Sequence, residues 1–150
     1  RVDGEWLLDV RLDLALADAA RQAFEEGVPL TLKLEADASV ERRFLPSATV
    51  ASLTRQWQLA YDAIAQRYVV TDMSDGEQET YATQADALAS LARLSGIGVA
   101  DEATLPPDSR FGMRVRATVE IGELPAAIKF LLFWRSWSRS TDWYAWSVRP

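Results

Sequence analysis

Four stretches of this chain alternate apolar and polar residues, and that period of two is what most narrows the folds open to it. In "EWLLDVRLDLAL", Trp6, Leu8, Val10, Leu12 and Leu14 fall on one side, and Asp9, Arg11 and Asp13 on the other. "PLTLKLEADASV" sets Leu30, Leu32, Leu34, Ala36 and Val40 against Lys33, Glu35 and Asp37. "SLTRQWQLAYDA" repeats the pattern through Leu53, Trp57, Leu59 and Tyr61, and "RFGMRVRATVEIG" through Phe111, Met113, Val115, Ala117, Val119 and Ile121. Successive side chains of a strand point to opposite faces, so each stretch predicts a half-buried strand.

Between them lie two helical signals. "ADAARQAFEEG" spaces Ala20, Ala23 and Phe24 for one helical face and stops at Gly27, with Pro29 beyond, the usual end of a short helix. Thr83 and Asp86 approximate a capping box ahead of Leu88, Leu91, Ala92 and Ser95, which predicts a second helix running to Gly96. "RYVVTDMSDGEQETYAT" reads as a hairpin turning at Asp75-Gly76. "GIGVADEATLPPDS" reads as a loop on its Gly and Pro content. "AAIKFLLFW" fits a buried helix or a buried strand equally, and "DWYAWSV" closes the chain as a strand with Trp143 and Trp146 on opposite faces. The expected fold is α+β: a mainly antiparallel sheet or sandwich with two short helices, as a single domain over residues 1–150.

The 150 residues include no cysteine, no histidine and no asparagine. Thiol nucleophiles, disulfides, cysteine-ligated zinc and imidazole general bases are therefore excluded. No apolar run approaches the roughly 20 residues of a membrane-spanning helix. The net charge of −6 is unevenly spread: residues 110–150 carry seven Lys/Arg against three Asp/Glu, while 71–109 carry one against eight. Overall acidity argues against nucleic-acid binding, although the basic segment suits an acidic or anionic partner.

Motifs that would carry chemistry fail on spacing. "TDMSDGEQE" has Gly76 one place too early for a calcium loop and Thr83 where the closing Glu belongs. "GIGVAD" follows a helix, whereas a dinucleotide loop follows a strand and opens a helix. Ser136, Ser138 and Ser140 have no base to activate them. A carboxylate pair for glycoside hydrolysis stays open because Asp and Glu are abundant, yet nothing singles one out. No enzyme activity, cofactor or metal is expected.

The most distinctive composition is the end, "FWRSWSRSTDWYAWSV", which holds four of the six tryptophans. Two readings compete: the rings close the core and Arg135 and Arg139 cap it, or rings at the surface anchor a ligand while arginines hold an anionic group. The candidate binding residues are Trp134, Trp137, Trp146, Arg135 and Arg139, with Arg114 and Arg116 on the polar face of their strand as a second row that Arg110 extends. That row reads as a solvated face or a charge-protected edge, or as an anion-facing patch if it adjoins Arg135 or Arg139 in space.

Taken in order, "LALADAARQAFEEGVPLTLKLE", "RQWQLAYDAIAQRYVV" with its Tyr-Ala-Thr entry into the second helix, and "RVRATVEIGELP" before the Trp-rich end resemble domain of unknown function 4390, a proteobacterial family of exported small proteins. The resemblance covers most of the chain. It implies a periplasmic or membrane-anchored envelope protein whose signal or anchor precedes Arg1, and it brings no established reaction. Family members are associated with the gene neighbourhood of a membrane sensor kinase of the nitrogen-regulation type. The expectation is a non-catalytic accessory or regulatory protein that binds a protein partner at or near the membrane, with a sensor histidine kinase as the implied partner. The alternative is a binding module for an envelope glycan or anionic lipid.

Overall fold

A computed structural model describes residues 4–14, 16, 18–42, 45–101, 111–121 and 138–148. The elements run β1 (Glu5–Arg11), α1 (Asp18–Glu25), β2 (Leu30–Arg42), β3 (Leu45–Asp62), β4 (Arg67–Asp72), β5 (Gln78–Tyr81), α2 (Gln84–Leu91), β6 (Arg93–Asp101), β7 (Phe111–Ile121), β8 (Ser138–Ser140) and β9 (Tyr144–Val148). Every pairing is antiparallel. The large sheet has the order β5-β4-β3-β2-β7-β8, with β9 also on β7, and β1 pairs with β6 in a separate two-stranded sheet. A mainly antiparallel sheet is thus what the alternating stretches build.

The two sheets share one core. β2 is its centre, flanked by β3 and β7, and it buries Leu30, Leu32, Leu34, Ala36, Ala38 and Val40 on one face. Leu8 and Val10 of β1 and Ile97 and Val99 of β6 pack onto that face. Each fully buried Leu contributes roughly 1.5–3 kcal/mol relative to exposure. Among the described residues, Leu32, Leu34 and Leu59 are the largest side chains wholly withdrawn from water.

Helix α1 ends where expected: Gly27 takes φ 87°, and Phe24 is buried with its ring 5.9 Å from Tyr68. At the β4–β5 turn Gly76 takes φ 79° and donates to the Asp72 carbonyl at 2.9 Å. Thr83 caps α2, its hydroxyl oxygen accepting from the Asp86 N–H at 3.1 Å. Tyr61 was expected on the core face but is 42% exposed, lying against Tyr68 at the edge of the packed region.

Two expectations are corrected. The second helix stops at Leu91 instead of reaching Ser95, and Gly96–Asp101 belong to β6 instead of a loop. The glycines mislead because they serve the strand. Ser95 and Gly96 together face Asp9, a one-residue bulge in which Gly96 adopts φ 69° and donates its N–H to the Asp9 carboxylate at 2.9 Å. At Gly98 the Glu5 side chain lies where a Cβ would stand. Residues 102–110, the stretch "AAIKFLLFW", and Trp134, Arg135 and Trp137 lie outside the described residues.

Candidate functional site

Strands β8 and β9 run along the same side of β7. Ser140 faces Thr118 and Tyr144 faces Val115, so three residues, 141–143, stand opposite two of β7. Thr141 holds the junction, its N–H donating to the Ala117 carbonyl at 2.9 Å. A bulge of this kind re-aims the side chains around it. Trp143 goes to the polar face of β7, and Tyr144 and Trp146 go to the core face, where Trp146 pairs with Met113.

On the polar face the arginine row is real, and it is already paired. Arg114 binds Asp37 at 2.6 Å and Arg116 binds Glu35 at 2.6 Å, each across the register that sets them opposite on β2. Lys33 reaches Glu35 at 3.2 Å, and the Ser52 hydroxyl donates to Asp37 at 2.8 Å. The Arg116 guanidinium holds the Glu35 carboxyl below its ordinary range, with burial opposing and Lys33 assisting. Both guanidinium groups also lie over the Trp143 ring, at 4.5 Å and 4.7 Å from its centre. Charges so satisfied leave little for a further anion.

The core face is different. Under β6 it is sealed, but β7 extends past β1, and there Val115 and Val119 stay half-buried although they point inward. A cavity of about 560 Å³ lies in this gap, floored by Leu34, Val115 and Ala117, with Leu8–Asp13 as one wall and Tyr144 and Trp146 on the other. A second cavity, about 350 Å³, lies beside Leu14, Leu16, Val119 and Arg139. Leu12, Asp13, Ala117, Thr141 and Asp142 line both. The two form a groove along β7, apolar below and charged at its rim.

Of the residues singled out from sequence, Trp146 and Arg139 line this groove, whereas Arg114 and Arg116 occupy the opposite face. Trp143, left out of that set, is the ring that meets those two arginines. Sequence reasoning also passed over Arg55, which sits at an inward position beside Trp57. It binds Asp72 at 2.6 Å and lies 5.8 Å from the Trp57 ring. Burial pushes the Asp72 carboxyl up, but the Ser74 hydroxyl and N–H and Arg55 outweigh it and hold the group low. The signal was present in the alternation of "LTRQW", where an arginine takes a core-side place.

Among the described residues no helix is long and apolar enough to cross a membrane. No curated protein and no solved structure matches the chain. The family described as Domain of unknown function (DUF4390) matches residues 1–147, which is nearly the whole sequence. The chain belongs to that family.

Proposed function

We propose that this domain is a non-catalytic binding module of the bacterial envelope, taking a protein partner in the groove between β1 and the 138–148 edge. The observation that carries the reading is the part of the inner face of β7, at Val115 and Val119, that the described residues leave half-buried. Val115, Val119, Leu12 and Trp146 are all core-facing and all only half-buried, while Leu32 and Leu59 of the same sheet are sealed. An apolar channel with a polar rim is the composition of a protein interface. A membrane sensor kinase remains the candidate partner, and the periplasmic face of the membrane the candidate location, both by family association.

The alternative of an anionic lipid or glycan is less well supported. It drew on surface rings beside arginines, and of those arginines Arg114 and Arg116 are engaged by carboxylates. The test is site-specific photo-crosslinking in the native host with the full-length protein. A benzoylphenylalanine replacing Tyr144, on the groove, is expected to give a discrete protein adduct, and one replacing Gln56, on the polar face, none. Adducts of lipid or glycan at Tyr144 would favour the alternative, and equal adducts at both positions would overturn the groove as the site.

A further inference from the structure

Among the described residues, strand β1 has a neighbouring strand on one side only. Its register partners are all on β6, and among the described residues its other edge meets the groove and no strand. Among the described residues, two strands lie above the seven-stranded sheet, and the floor beside them is apolar and not covered by them. An edge with free N–H and C=O groups bordering an apolar floor is a template for one more strand.

The charges along that edge say which strand fits. Asp9, Arg11 and Asp13 alternate with the inward Leu8, Val10 and Leu12, and all three are exposed. Across the pair, Arg11 faces Arg93, two like charges directly opposite in the register. Such a pair is destabilising, and a carboxylate on the free side of Arg11 relieves it. Asp13 shares the rim with Asp142, so an incoming cation is favoured there. The complementary pattern is cation, anion, cation on the outward face, with apolar residues between them aimed at Val115, Ala117 and Trp146. This pattern reads the same in both chain directions.

We infer that the partner contributes an extended segment that adds to the free edge of β1 and runs on beside Leu12–Leu14, where burial still alternates, with a carboxylate opposite Arg11 flanked by cations opposite Asp9 and Asp13. At about 3.3 Å per residue, the groove beside residues 8–16 takes a segment of roughly six to nine residues. The inference rests on the protein-partner reading of the groove and goes beyond it by naming the mode and the sequence pattern.

The test uses the purified chain and two synthetic nine-residue peptides, valines alternating either with Lys, Glu and Lys or with Glu, Lys and Glu. The first is expected to bind at least tenfold more tightly and to slow amide exchange in β1. Methylating its backbone nitrogens is expected to abolish binding. In Arg11→Glu, replacing the central Glu of the peptide by Lys is expected to restore what that variant loses. Binding without charge preference, binding without protection of β1, or no binding by either peptide would overturn the strand-addition mode. The protein-partner reading would then stand or fall separately on crosslinking at Tyr144.

Discussion

The guanidinium carbon of Arg114 lies 4.5 Å from the centre of the Trp143 ring while its Nη2 binds Asp37 at 2.6 Å. One side chain thus ties the β2 strand to the bulged edge at residues 141–143. The ring is 36% exposed and the arginine half-exposed, so the contact is a surface one and modest in size.

Trp143→Ala is therefore expected to lower stability by about 1 kcal/mol, the scale of an exposed cation–π contact with its buried ring area. A double-mutant cycle with Arg114→Ala, read by urea unfolding, is expected to show coupling of about 0.5 kcal/mol. Strict additivity would mean the ring and the guanidinium do not interact.

Glu35 and Asp72 both have carboxyls held below their ordinary range. The unfolded chain binds protons more readily than the folded one at those two sites. Stability from these groups is therefore fully present above about pH 5 and is lost as the pH falls through the lowered folded values. Unfolding free energy measured from pH 7 to pH 3 is expected to be flat and then to drop. Glu35→Gln and Asp72→Asn are each expected to be less stable at pH 7 and to show a shallower drop.

Arg11 and Arg93 face one another across the β1–β6 pair. Arg11→Glu is expected to stabilise the isolated chain by about 0.5 kcal/mol, since a like-charge cross-strand pair becomes an opposite one. A fall in urea midpoint would show that the two side chains diverge.

Core and groove floor are expected to answer differently to truncation. Leu59, 0% exposed, is expected to cost about 2–5 kcal/mol as Leu59→Ala. Val119, half-buried beside the groove, is expected to cost less than about 1 kcal/mol as Val119→Ala. Similar losses at the two positions would indicate that the groove is closed in the free protein.

How much of this was legible in the sequence follows from which signals are local. Period-two alternation located β1, β2, β3 and β7 and assigned their inward faces, because burial on a sheet repeats every second residue. The caps at Gly27 and Thr83 and the turn at Gly76 were legible for the same reason, their chemistry lying within a few residues. Strand β6 was not. Its glycines answer to Asp9 and Glu5, 87 and 93 residues away, and only the β1 partner explains them. The groove was equally hidden, since it comes from the width of one layer over another. Alternation did separate Trp143 from Trp146, but a one-residue bulge decided which of the two meets Arg114 and Arg116.

The central claim is that the groove is where the protein is occupied in its native setting. The chain has no cysteine, so a single introduced thiol reports on one position. Tyr144 is 71% exposed and lines the groove, and Gln56 is exposed on the opposite face. In intact cells of the native host, maleimide labelling of Tyr144→Cys is expected to be at least tenfold slower than in the purified chain, with Gln56→Cys unchanged. Equal labelling of Tyr144→Cys in both settings, or slowing at Gln56→Cys instead, would contradict it.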